Sequence, residues 1–98
     1  GQCLGIETIQ GTDALLQFVA QTPEKLRRNF KGVYVKAAKR GQDLRIDMPV
    51  IGPHTIAAVA AAGLAGLVVE AGRVMIVERE KTLQAVEGQG IFLTARAL

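Results

Sequence analysis

The chain has 98 residues, a formal net charge of +3, one cysteine, one histidine and no serine. That length suits one domain with a single modest core, and no apolar run approaches the roughly 20 residues a membrane-spanning helix needs. An intrachain disulfide, a zinc site built from His and Cys alone, and a serine nucleophile are all excluded.

The charge is unevenly spread. Lys25, Arg27, Arg28, Lys31, Lys36, Lys39, Arg40 and Arg45 face only Asp43 between positions 25 and 45, whereas the rest of the chain carries four basic and eight acidic residues. A local basic field of this kind points to an anionic partner: phosphate, nucleic acid or an acidic membrane surface. The first residues lack a charged segment followed by an apolar one, so no signal peptide is expected. A start without Met, in a strand-like run, is expected of a fragment.

Residues 3–9 read as a strand, with Cys3 a buried structural thiol. Thr12 and Asp13 offer N-cap chemistry for a helix whose Leu15, Phe18 and Val19 form the buried stripe. Thr22-Pro23 ends it. Residues 24–32 form a basic connection with one short helical turn, in which only Leu26 and Phe30 suit the core. Val33 to Ala37 is rich in β-formers, and Lys36 shares a side with Tyr34, opposite Val33 and Val35. A loop over 39–42 leads to Leu44, Ile46 and Met48 alternating with Asp43, Arg45 and Asp47, a half-buried strand that Pro49 halts.

Gly52-Pro53 opens a second helix to about Ala62, with Pro at its first position, Ile56, Val59 and Ala60 inward, and Gly63 as a left-handed C-cap. Leu67-Val68-Val69 and residues 73–77 flank an Ala71-Gly72 turn and read as an antiparallel hairpin. Glu78 to Glu87 forms a third helix with Leu83 and Val86 inward, ended by Gly88 and Gly90 before a last strand at 91–94. About six short strands interleaved with three helices predict an α/β fold, with α+β as the alternative. The sheet is expected to be mixed, with a right-handed crossover wherever a helix joins parallel strands.

The chemistry concentrates between Lys36 and Thr55. An Asp-Arg-Asp strand end running into a helix N-terminus suits a metal-bound phosphate, and a solvated ladder of surface ion pairs is the plainer reading. On an extended strand Asp43 and Asp47 lie roughly 13 Å apart, at about 3.3 Å per residue. One cation cannot reach both unless the chain bends, so Asp47, nearer the helix, is the favoured ligand and Asp43 would orient Arg45 or Gln42. Arg45 suits a bidentate grip on phosphate. His54 reads as an exposed residue in the helix's first turn. Neither a P-loop nor a dinucleotide-binding glycine motif is present.

Gly11-Thr12-Asp13-Ala14, Val35-Lys36, the run Gly41-Gln42-Asp43-Leu44-Arg45-Ile46-Asp47-Met48-Pro49, Ile51-Gly52-Pro53 with Thr55, Ala62-Gly63-Leu64-Ala65-Gly66 and Glu70-Ala71-Gly72 closely resemble the C-terminal domain of the LpxI-type UDP-2,3-diacylglucosamine pyrophosphatases. The resemblance covers nearly the whole chain. It implies a cytoplasmic, Mg²⁺-dependent hydrolase of lipid A synthesis in Gram-negative bacteria, peripherally associated with the inner membrane. Such an enzyme cleaves its nucleotide-linked lipid substrate to lipid X and UMP. It further implies that residues 1–98 form the C-terminal catalytic domain of a two-domain protein, with the active site shared with its own N-terminal domain. The isolated domain would then be inactive. A homodimer is left open.

By position, the resemblance makes Asp47 and Asp43 the catalytic and metal-binding carboxylates. Lys36, Gln42, Arg45, Thr12, Asp13, Gly52 and Thr55 become substrate or phosphate contacts. Two positions depart from the pattern: Gln10 stands where Glu is usual and Arg40 where Pro or a similar residue is common. The alternatives are a nucleic-acid-binding module using the basic 25–45 segment and a non-catalytic ligand-binding domain. Only four aromatic residues argue against the first, with Tyr34 alone placed to stack a base.

Overall fold

The computed structural model describes residues 2–27, 30–39 and 48–98. In chain order the described elements are α1 (Thr12–Ala20), α2 (Glu24–Arg27), β1 (Val33–Lys36), β2 (Val50–Ile51), α3 (Pro53–Ala61), β3 (Gly66–Glu70), β4 (Met75–Ile76), α4 (Arg79–Gln89) and β5 (Phe92–Arg96). This is the expected α/β fold. The alternating strand expected over 43–48 lies almost wholly outside the described residues.

Three strands form the main sheet in the order β1-β3-β5, and both pairings are parallel. A second, two-stranded parallel ladder joins β2 to β4. Among the described residues every strand pairing is parallel, so no mixed sheet is seen there, and the expected hairpin across Ala71-Gly72 is wrong. The reason is geometric: β1 and β5 occupy both edges of β3, so no edge remains for residues 73–77. Those residues instead leave the main sheet and pair with β2, where Val77 N–H donates to Ile51 O at 2.9 Å.

Tyr34, Leu67 and Val69 point to the helical side of the sheet and are buried with Leu16, Val19, Ile56, Val59 and Leu64. Ile56 and Val59 are the expected inward positions of α3, and Gly63 is left-handed as expected (φ 76°). On α1 the inward residues are Leu16 and Val19, whereas Phe18 stays 64% exposed. The stripe is rotated because α1 packs against α3, with Leu16 and Val19 in one cluster with Ile56, Val59 and Tyr34. On α4 the fully buried residue is Thr82, not Leu83, and its hydroxyl donates to Val77 O at 2.8 Å. That bond is what lets a polar side chain sit in the core.

Gly66 is required by close approach. A Cβ there would lie 2.4 Å from the carbonyl oxygen of Phe92 and 2.5 Å from its ring. The ring lies across Gly66 on the face opposite the helices, where Val33 and Val35 are also exposed.

The strand expected over 3–9 is not formed. Those residues are held by side chains: Leu4 and Leu64 close over Gly32, and Gly5 packs on Leu15 of α1. Cys3 is exposed, not buried, because the segment lies alongside the sheet edge and not within it. Leu26 and Phe30 are exposed as well. The connection they were expected to anchor is held instead by Arg27, whose guanidinium donates to Val19 O (2.8 Å), Ala62 O (2.7 Å) and Gly63 O (3.1 Å). One cation thus satisfies carbonyls at the C-terminal ends of both α1 and α3, where the helix dipoles favour positive charge.

Candidate active site

In parallel α/β sheets the C-terminal strand ends and the following helix N-termini share one rim, and ligands bind there. Here that rim gathers Lys36 at the end of β1, Glu70 at the end of β3, and the first turns of α1 and α3.

The first turn of α1 is set by Gly11, whose backbone (φ 95°) is one that side-chain-bearing residues rarely adopt. Its N–H donates to Thr8 O at 2.9 Å, turning the chain sharply. Gly11 is thus the N-cap, and neither Thr12 nor Asp13 caps the helix through its side chain, contrary to expectation. Their side chains are released for other contacts. The Thr12 hydroxyl donates to the Glu7 carboxylate and accepts from Lys36 Nζ at 3.2 Å. Lys36 Nζ is also 3.6 Å from Glu7 Oε1, and the lysine side chain is only 16% exposed. Strand end, helix start and the 2–8 segment therefore meet in one charged cluster.

Asp13 points the other way. Its carboxylate lies 3.2 Å from His54 Nε2, so the first turns of α1 and α3 touch through two exposed side chains. His54 is exposed as expected, but its acidic neighbour was not foreseen. In α3 the Thr55 hydroxyl accepts from Gly52 N–H at 3.1 Å, so Thr55 serves the helix N-terminus. Gly52 is buried, and a Cβ there would meet Val77 Cγ2 at 2.9 Å.

Glu70 completes the rim. Its carboxylate accepts from Ala38 N–H at 3.1 Å and pairs with Arg73 at 3.4 Å, fixing how the chain leaves β1. Among the expected site residues, then, Lys36 and Thr12 come together directly, Asp13 joins the start of α3, and Gly52 and Thr55 build that start. Gln42, Asp43, Arg45 and Asp47 lie outside the described residues. Among the described residues no three His, Cys, Asp or Glu side chains are grouped to hold a metal ion.

Sequence reasoning missed Glu7 and Glu70. A lone acid inside the apolar-looking run at 3–9 was the available signal for Glu7; Glu70 stood in the Glu70-Ala71-Gly72 motif but was given no site role. The basic field also resolves into separate parts. Arg27 works at the C-terminal ends of α1 and α3, away from Lys36. Tyr34 is buried, 7% exposed, and offers no stacking platform. Gln10 bonds locally to Thr8 and takes no part in the Lys36 cluster.

A cleft of about 510 Å³ runs between residues 2–7 and the side of β1 away from β3, with Glu7, Lys36 and Lys39 in its wall. No helix among the described residues is long and apolar enough to cross a membrane.

The UDP-2,3-diacylglucosamine pyrophosphatase LpxI of Caulobacter vibrioides is 45% identical over 96 residues, which cover 95% of this chain and 34% of that enzyme. The chain thus spans about a third of the length of that relative. The model of the LpxI C-terminal domain matches residues 1–94, and the chain belongs to that family.

Proposed function

We propose that this domain is part of an enzyme that hydrolyses the diphosphate of UDP-2,3-diacylglucosamine, releasing UMP and 2,3-diacylglucosamine 1-phosphate for lipid A synthesis. The observation that carries the reading is the Lys36–Thr12–Glu7 cluster at the strand-end rim of a domain of this family. Lys36 is positioned by a carboxylate and a hydroxyl, and its ammonium can donate to a phosphate oxygen while keeping one of those partners. The adjoining N-termini of α1 and α3 add backbone N–H groups and favourable dipole ends for a polyanion.

The proposed reaction is attack of water on phosphorus with UMP as one product. Asp47 and Asp43 are proposed to hold Mg²⁺, which when bound would neutralise the diphosphate and lower the pKa of a coordinated water. The remaining proposed contacts, Gln42 and Arg45, come from the same segment. After that segment the described chain resumes at Met48-Pro49, where Met75 N–H donates to Pro49 O at 2.8 Å. A site shared with an N-terminal domain, a cytoplasmic location and peripheral contact with the inner membrane belong to the same proposal. The test is release of UMP by the full-length protein in the presence and absence of Mg²⁺, beside the isolated 1–98 domain. Nearly inactive isolated domain and active full-length protein are expected.

A further inference from the structure

Glu70 is a carboxylate at the strand-end rim that the proposed function leaves without a part. It stands on the central strand β3, one residue past Val69, the register partner of Lys36. Its side chain is only 14% exposed, and a carboxylate so far from water persists only where hydrogen bonds compensate it. Its main-chain oxygen accepts from Arg73 N–H at 3.1 Å, which closes the turn after β3. With that oxygen committed to the turn, the side chain reaches across to β1. There the carboxylate accepts from Ala38 N–H at 3.1 Å, two residues beyond Lys36, and Arg73 Nε lies 3.4 Å from the same oxygen. Among the described strands β1 pairs only with β3, so past Lys36 an anchor for its end comes from the β3 side.

We propose that Glu70 is a positioning residue for the hydrolysis, acting through Lys36; this rests on the function proposed above. Its carboxylate pins Ala38 N–H and so holds the end of β1 in place. The lysine backbone then stays fixed while its ammonium exchanges Glu7 or Thr12 for a phosphate oxygen. Fixed donors aimed at developing charge are worth more than mobile ones, because nothing has to reorganise during the reaction. The role requires an acceptor at the right reach and no charge.

Two variants of the full-length protein separate reach from charge. Glu70→Gln keeps the length and an oxygen that accepts from Ala38 N–H, but loses the charge. Glu70→Asp keeps the charge and falls short by one methylene. UMP release is measured with Mg²⁺ present, with circular dichroism to establish folding and hydrogen exchange to follow the Ala38 amide. Glu70→Asp is expected to lower kcat at least about ten-fold with KM changed less than about three-fold, and to speed exchange at Ala38. Glu70→Gln is expected to stay within about three-fold of the unaltered protein in both kcat and exchange. In a Lys36→Met background, Glu70→Asp is expected to cost less than about two-fold more, since residues acting as one unit are not additive.

A folded Glu70→Asp protein as active as Glu70→Gln, or more so, overturns the inference and leaves the proposed function standing. So does a full, additive loss in the Lys36→Met background, which would place the effect of Glu70 elsewhere. An unaltered full-length protein that releases no UMP overturns the inference and the proposed function together.

Discussion

Lys36 Nζ and Thr12 Oγ1 lie 3.2 Å apart, which ties the C-terminal end of β1 to the N-terminal turn of α1. The contact spans 24 residues of sequence. It sets where an anion can meet both a lysine and a helix N-terminus. Lys36→Met keeps most of the length of the unbranched side chain and removes its charge. With a developing phosphoryl charge left without this donor, kcat/KM of the full-length enzyme is expected to fall about 100-fold or more. Steady-state kinetics beside circular dichroism would check it; unchanged kinetics in a folded variant would remove Lys36 from the site.

Arg27 ties together the C-terminal ends of α1 and α3, the helices whose N-termini lie at the rim. Arg27→Ala removes three hydrogen bonds from one partly buried guanidinium and leaves helix-end carbonyls without that partner. A loss of about 2–3 kcal/mol is expected, given the usual worth of bonds to charged groups. Arg27→Lys should recover less than half of it, because an ammonium cannot reproduce the planar fork across two helices. Urea unfolding with an unchanged slope is the measurement.

Gly66 and Phe92 are coupled by backbone as well as ring. Gly66→Ala would set a Cβ against the Phe92 carbonyl oxygen, and the central strand has no free side toward which to move. A destabilisation of about 2 kcal/mol or more is expected, in the range of overpacked cores. Shortening the ring with Phe92→Leu should not restore stability, since the backbone clash persists. Recovery in the double variant would place the strain in the ring alone.

Thr82 tests a buried hydroxyl. Thr82→Val is nearly isosteric, yet it deprives Val77 O of its donor from that side chain in a fully buried setting. A loss of about 1–2 kcal/mol is expected by thermal or chemical unfolding. Leu83→Ala, at a 44% exposed position on the same helix, should cost less.

These positions also mark how far the sequence could be read. Helix α3 was legible almost to the residue, because Pro53, the Ile56/Val59 pair and Gly63 are local signals that agree with one another. Strands β1 and β3 were found by their β-branched runs, but their partners were not. Pairing depends on which edges are already taken, and no window of sequence holds that information. The same limit explains α1: Leu15, Leu16, Phe18 and Val19 are all apolar, so only the packing of α1 on α3 decides which of them face inward. In the site, Lys36 and Thr12 were chosen from sequence and do meet. Glu7 and Glu70 were not chosen, since a single acid acquires meaning only from the strand end beside it. Thr12 and Asp13 looked like caps because residues of their type usually are; Gly11 takes that role and frees both.

The most direct test of the proposed site is UMP release from UDP-2,3-diacylglucosamine by the full-length protein carrying Asp43→Ala and Asp47→Ala together, with Mg²⁺ present and the fold checked by circular dichroism. The account predicts that the unaltered protein releases UMP and the folded double variant releases essentially none. UMP release by that variant at the unaltered rate would contradict it.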